Sequence, residues 1–501
     1  MTRYFPPQMA GYTTSRLARF KQVFLWLFIT ASILFLQLAL GTDVKILMLA
    51  AATALCGFLI LSSGGLTDAG SLVGFAFLFN TLFFAILLKT MLGQSLESNL
   101  YAPFTSFLIV FIVSFQVLFA LKFAQALPVG KPLFRPTNEL RFLKYLAIVC
   151  YALGFLLWAL SQLYRIDPRA QATSQEKGFG GFDTIYPIFF MGIVAATAFV
   201  LISTDNRKSI NKWIVVMLAT GSFMGLVESR KIILGLTFGY YFFTSLVYRR
   251  RLTVKQMVIA ILLLLFVFFI FGPAVHMYRN ELWFLPFDQR MDYLINNAGK
   301  MTQSEYLIDY FFLVINRENA LYHYQYFGQN LLFIDRFATI QHNDIVVESF
   351  LNRAEMGAHI LGRGFDLILP GFMNPNKSII SLEDQITWEL GLRKYGVIGF
   401  PTVPLIACSF AATKWIGLVF IPLLVFIMLF LFIKKIGPSI QGNVFAIFFI
   451  VPILLNAHQW SYSQYIVRLF RIFPVQIILL FMIVFFYKNV IARRGRDKKP
   501  G

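Results

Sequence analysis

The sequence is short of cysteine, histidine and acid: its 501 residues hold 3 Cys, 5 His and 24 Asp plus Glu, and charged residues make up only 14%. Three thiols cannot build a disulfide framework, and Cys56, Cys150 and Cys408 lie in apolar runs where a thiol packs as a small hydrophobe. The histidines, His276, His323, His342, His359 and His458, have no partner at metal-ligand spacing, so no zinc centre is expected. A Walker loop, a Gly-rich dinucleotide turn and a Ser elbow are missing too, so no soluble cofactor is expected. Soluble chains are about a quarter charged, which sets a cytosolic enzyme and a disordered tail aside.

What is present is apolar and basic. Hydrophobic residues make up 58% of the chain, 57 of them Phe, and 44 Lys plus Arg give a formal charge of +20. Crossing a bilayer takes roughly 20 mostly apolar residues in a helix that satisfies its own backbone. Such runs fall near 22–41, 44–62, 70–89, 102–121, 142–163, 185–203, 213–228, 231–247 and 257–276, then near 396–413, 416–433, 443–458 and 473–488. The reading is an all-α polytopic integral membrane protein with about 12–13 transmembrane helices. It has three parts: a membrane domain over 1–276, a long extracytoplasmic loop over 277–395, and C-terminal membrane segments with a basic tail over 396–501.

Positive residues mark the cytoplasmic side. Arg16, Arg19 and Lys21 precede the first run, Lys131, Arg135, Arg141 and Lys144 follow the fourth, and Arg249, Arg250 and Arg251 follow the eighth. These are alternate loops, which puts the N-terminus inside and the long loop outside. Arg493, Arg494, Arg496, Lys498 and Lys499 should also lie inside, yet four crossings after an outer loop leave them outside. Pro401 and Pro404 interrupt the run at 396–413, so that piece reads as a re-entrant or interfacial segment, with 405–433 as one long or broken crossing. An amphipathic segment such as 305–316 dipping into the bilayer is the other solution.

The long loop holds 10 basic and 14 acidic residues, net −4, so the remainder of the chain is +24. The positive charge therefore belongs mainly to the inner face, and no nucleic-acid partner is expected. Span centres carry almost no ionisable residues, unlike ion-coupled transporters. Arginine is what the outer loops retain: Arg279, Arg290, Arg317, Arg336, Arg353, Arg363 and Arg393, with Arg165 and Arg169 after the fifth run. A guanidinium fork matches phosphate oxygens bidentately; pairing with nearby acids is the plainer role. Tyr322, Tyr324, Tyr326 and Phe327, and the outer segment with His458, Trp460, Tyr462 and Tyr465, offer faces that stack on sugars or sit as an interfacial belt.

Several short motifs then come together. Glu228-Ser229-Arg230-Lys231 forms an outward turn, and Leu369-Pro370-Gly371 is followed by Lys377, Glu389-Leu390-Gly391 and Gly396-Val397-Ile398-Gly399-Phe400. Arg169 to Gly180 and Arg353 to Gly364 each span ten intervening residues, as does Arg317 to Gly328. In these motifs and in layout the chain resembles the Wzy-type polymerases of O-antigen and exopolysaccharide repeat units, relatives of the O-antigen ligases. The resemblance implies a metal-independent glycosyltransferase of the bacterial inner membrane, with both termini cytoplasmic. Its substrates would be polyprenyl-diphosphate-linked oligosaccharides, with a chain-length regulator and a repeat-unit flippase as further partners. It points to Arg230, Arg353 and Arg169 as diphosphate or glycan clamps, with Arg317, Arg363, Lys377, Tyr324 and Trp460 as further binding residues. Glu228, Asp384, His359 or Glu318 can serve as general base. A ligase using the same carrier, a lipid-linked sugar flippase and a scaffold are the alternatives.

Overall fold

The computed structural model describes residues 16–128, 130–164, 182–205, 210–228, 230–248, 287–297, 326–327, 338–369, 380–396 and 402–491, with the single positions 258, 262, 285 and 299. Among these the secondary structure is helical apart from one isolated bridge, Asp68 to Ser439. Helices α1 (Arg16–Ala39), α2 (Val44–Gly64), α3 (Ala69–Met91), α4 (Pro103–Ala126) and α5 (Leu140–Tyr164) follow one another up to the first undescribed stretch. Next come α6 (Ile188–Ser203), α7 (Lys212–Val227) and α8 (Lys231–Tyr248). Four helices lie in the stretch read as an outer loop: α9 (Phe287–Asn297), α10 (Thr339–Leu351), α11 (Gly362–Asp366) and α12 (Leu382–Glu389). The chain ends on α13 (Leu405–Ile436), α14 (Val444–Asn456) and α15 (Tyr462–Val490).

Seven of the described helices are long and apolar enough to cross a membrane, and four more are apolar but shorter. This is a multi-pass, all-α membrane protein. The expected run at 257–276 and the segment 305–316 lie outside the described residues. The three thiols are buried and unbridged, as apolar packing requires.

Helix α13 takes the place of two expected crossings. Thr413 (φ −147°, ψ 32°) and Lys414 (φ 48°, ψ −128°) break it, and a Cβ on Gly417 would lie 2.3 Å from the Ser409 carbonyl oxygen. Eight residues of straight helix would hold those positions about 12 Å apart, so the chain folds back at the break. The first arm, 405–412, is two turns of buried residues, too short to cross a bilayer. Its final carbonyls are capped from the outer layer, by Met356 N–H to Ala411 O at 3.0 Å and Gly357 N–H to Ala412 O at 2.9 Å. The break takes 405–412 out of the expected crossing over 405–433, and the second arm alone has crossing length.

Prolines inside membrane helices leave a carbonyl four residues earlier without its partner, a loss water cannot repair in lipid. At Pro422 and Pro452 a neighbouring helix repairs the loss. Pro422 frees Leu418 O, which accepts from Gln116 Nε2 of α4 at 2.9 Å. Pro452 frees Phe448 O, which accepts from the Tyr240 hydroxyl of α8 at 2.7 Å. Tyr240→Phe keeps the packing and deletes only this donor, so it should cost about 1–3 kcal/mol, read as a lower melting temperature of the detergent-purified protein.

Close approach is arranged by small residues where α5 meets α6. A Cβ on Gly154 would lie 2.4 Å from Phe189 N, and one on Gly192 would lie 2.9 Å from Tyr151 N. Glycine lets the two backbones touch, which in lipid replaces the hydrophobic drive between helices.

Candidate functional site

A cavity of about 490 Å³ opens between the segments around α11 and α12 and the facing ends of α8, α14 and α15. Its cationic wall is the first third of α15, which carries Arg468 and Arg471 in a π-turn spanning Arg468–Ile472. Such a turn holds one extra residue and re-aims the side chains on it; both arginines line the cavity. The Arg468 guanidinium lies 4.2 Å from the Trp460 ring centroid, and Trp460 meets Tyr465 edge-on at 5.2 Å. Among the described residues Arg468 makes no ion pair. An aromatic face thus supports its charge and leaves its donors to a ligand. Arg471 is partly tied, donating to Leu367 O at 3.4 Å.

The acidic wall comes from the start of α12, where Ser381 and Glu383 face the cavity. Ser381 is the N-cap: its oxygen accepts the Asp384 N–H at 3.0 Å and its hydrogen goes to Asp384 Oδ2 at 2.7 Å. Glu383 is 4% exposed, and burial pushes its carboxyl above the usual range, against the Ser461 and Ser381 hydroxyls that hydrogen-bond to it. A folded-state value above the unfolded one means that the carboxyl's contribution to stability is full below the ordinary carboxyl value and lost as pH rises through the folded value. Gln mimics the neutral acid. Glu383→Gln should therefore gain thermal stability over the wild type as pH rises above the ordinary carboxyl value, until the folded value is passed. Parallel melting curves across pH would contradict the buried acid.

The turn between α14 and α15 supplies neutral polar groups: Asn456 and Gln459, with Ser463 and Gln464 just after it. Leu405 N–H donates to Trp460 O at 2.8 Å, which fixes the start of the returning arm and brings Thr402 to the rim. Ile232, Leu367 and Val467 add an apolar side. Two guanidinium forks, one protonatable carboxyl, amides and an indole beside an apolar wall suit an anionic ligand with a polar and a greasy part.

The residues expected from sequence divide around this cavity. Trp460 lines it. Asp384 does not; it is wholly buried behind Ser381, and Arg393 lies 3.6 Å from its Oδ1. Glu228 and Arg230 pair with each other at 3.2 Å, and Trp158 Nε1 donates to Glu228 Oε1 at 2.8 Å. Neither lines the cavity, though Ile232, two residues on, does. Arg353 is exposed and donates to Glu389 O at 2.8 Å, where it caps the end of α12. His359 is exposed and Arg363 half-buried, both outside the lining. Gly364 does serve the site, because a Cβ there would lie 3.0 Å from Tyr462, so its absence seats α11 on α15. Arg169, Arg317, Lys377 and Tyr324 lie outside the described residues.

Tyr326 and Phe327 are fully buried. The Tyr326 hydroxyl donates to Leu96 O at 3.0 Å, and its ring lies 4.2 Å from Lys89 Nζ. These two rings anchor the long loop and present no free face to a sugar.

Sequence reading missed Arg468, Arg471, Glu383 and Ser381. A signal existed: two arginines three apart, directly after an outer aromatic segment and before an apolar run. Comparison of the chain with known family models, curated proteins and solved structures finds no match.

Proposed function

We propose that the protein polymerises polyprenyl-diphosphate-linked oligosaccharide repeat units on the outer face of a bacterial cytoplasmic membrane. The observation that carries this reading is one cavity holding Arg468, Arg471 and Glu383 at the head of a long membrane helix. Arginine within a membrane segment is costly unless it faces a cavity and serves a ligand. A lipid diphosphate meets that demand: two phosphates for the guanidiniums, a tail for the bilayer, and a glycan for Trp460 and the amides.

The reaction then follows from electrostatics. The growing glycan's anomeric carbon leaves its diphosphate oxygen and bonds to a hydroxyl of the next repeat unit. Charge develops on the leaving diphosphate, where fixed guanidiniums stabilise it more than they stabilise the ground state. Glu383 is the acid–base group for the acceptor hydroxyl. Both termini lie on the cytoplasmic side in this reading.

Purified full-length protein in liposomes, given labelled lipid-linked repeat units, should yield a ladder of products one repeat apart together with free polyprenyl diphosphate. A single transfer to an unrelated acceptor would make it a ligase instead. Label crossing the bilayer without new glycosidic bonds would make it a transporter.

A further inference from the structure

Several serines and threonines inside the helices settle their hydroxyls on the carbonyl four residues back. Ser114 donates to Val110 O at 2.7 Å, Thr197 to Ile193 O at 2.8 Å, Thr237 to Ile233 O at 2.7 Å and Ser409 to Leu405 O at 2.7 Å. Ser463 has no such carbonyl. It sits in the first turn of α15, and the chain runs extended through Trp460 and Ser461, so the Gln459 carbonyl is not stacked beneath it. The Trp460 carbonyl, three residues back, already accepts the Leu405 N–H at 2.8 Å. Ser463 is therefore 2% exposed, its hydroxyl has no hydrogen-bond partner, and the residue lines the cavity.

Six residues of α15 line the cavity in neighbouring pairs one turn apart: Ser463 and Gln464, Val467 and Arg468, Arg471 and Ile472. Along the helix the lining therefore changes from hydroxyl and amide, through guanidinium, to alkyl. Arg468 follows Ser463 by five residues, about 7.5 Å along the axis, close to the reach of a sugar ring with its anomeric oxygen. Asn456, at the end of α14, lines the same cavity. Its Nδ2 donates to Pro452 O at 3.1 Å, which leaves its Oδ1 as an acceptor.

We propose, resting on the lipid-diphosphate reading above, that Ser463 determines which sugar the cavity accepts next to the diphosphate. With the phosphates on Arg468 and Arg471, the apolar end at Ile472 suits the lipid, and the attached ring falls at the Ser463 end. There the Ser463 hydroxyl bonds to one hydroxyl or amide substituent of the ring, and Asn456 Oδ1 accepts from another. Ser463 takes no part in making or breaking bonds; it sets specificity. Its hydroxyl has already left water on folding, so a bond to the ligand costs it no further desolvation. A ring without a polar substituent at that place leaves the hydroxyl stranded. Sites of that kind discriminate far more sharply than an apolar pocket does between ligands one methylene apart.

Binding of two probes to the full-length protein in lipid nanodiscs tests this: lipid-linked repeat units extracted from the producing cells, and polyprenyl diphosphate without sugar. Ser463→Ala should lose about tenfold in affinity for the first and nothing for the second. Equal loss for both probes, or loss for neither, overturns the proposal. Ser463→Cys keeps the volume and offers only a weak donor, so it should fall with the alanine variant; a cysteine variant that binds like the wild type shows that shape holds the sugar, and overturns the proposal too. Without ligand, Ser463→Ala should melt at or above the wild-type temperature, because the hydroxyl it removes has no partner. Lower melting would reveal a partner inside the protein and sink the specificity role. A wild type that binds neither probe, or Arg468→Met binding polyprenyl diphosphate as tightly as the wild type, takes the diphosphate out of the cavity and the proposal with it. Sugar-dependent binding through Ser463 with no new glycosidic bond in the liposome assay upholds the specificity role and overturns polymerisation.

Discussion

Arg468→Met is expected to abolish polymer formation at normal protein level, a fall of roughly 10²–10³ in kcat/KM. The methionine keeps a long apolar stem against Trp460 and Tyr465 while removing a cavity guanidinium that rests on an aromatic face. Arg468→Lys keeps the charge and loses the planar fork, so it should retain only about a tenth of the wild-type rate. Arg471→Lys should do less harm, because Arg471 already spends a donor on Leu367 O. Product ladders and initial rates from liposomes would check all three. Wild-type rates from Arg468→Met would remove the diphosphate from this cavity.

The largest effect on stability is expected at Asp344, far from the cavity chemistry. Its carboxylate accepts Tyr101 N–H at 2.7 Å, Ala102 N–H at 2.9 Å and the Ser106 hydroxyl at 2.8 Å, so it caps α4 from another part of the chain. The other end of α4 is held the same way. Lys434 Nζ donates to the carbonyls of Ala124, Gln125 and Leu127 at 2.9, 3.0 and 2.7 Å. A helix exposes amides at its start and carbonyls at its end, and opposite charges at the two ends answer both its hydrogen bonds and its dipole. Asp344→Leu strands three donors and should cost roughly 3–6 kcal/mol. Asp344→Asn keeps one acceptor oxygen and should cost about half as much. Melting temperatures in detergent would show the order wild type, Asn, Leu. Helix α13 should loosen too, since α4 also satisfies its Leu418 O through Gln116.

The split between what could be read in advance and what could not follows from distance along the chain. Apolar length is a local property, so the crossings near 44–62, 102–121 and 142–163 are legible without any fold. Most of the described residues in the local motifs lie outside the cavity. Arg353, read as a clamp, ends as the cap on α12; Glu228 and Arg230, read as a catalytic turn, are paired with each other. Asp384 was one residue from the carboxyl that faces the cavity. In a helix adjacent residues point about 100° apart, and only the seating of α12 in the fold decides which of the two faces the cavity.

By itself, then, the sequence determined a multi-pass helical membrane protein, and its charge pattern set the expectation of a basic inner face and a polar outer one. That much follows because the bilayer acts on each segment separately. The tertiary structure alone decided where that chemistry converges. Ser381 and Glu383, Thr402, Trp460 and the arginines of α15 come from separate elements, and no local pattern records that a π-turn and a folded-back arm bring them to one cavity.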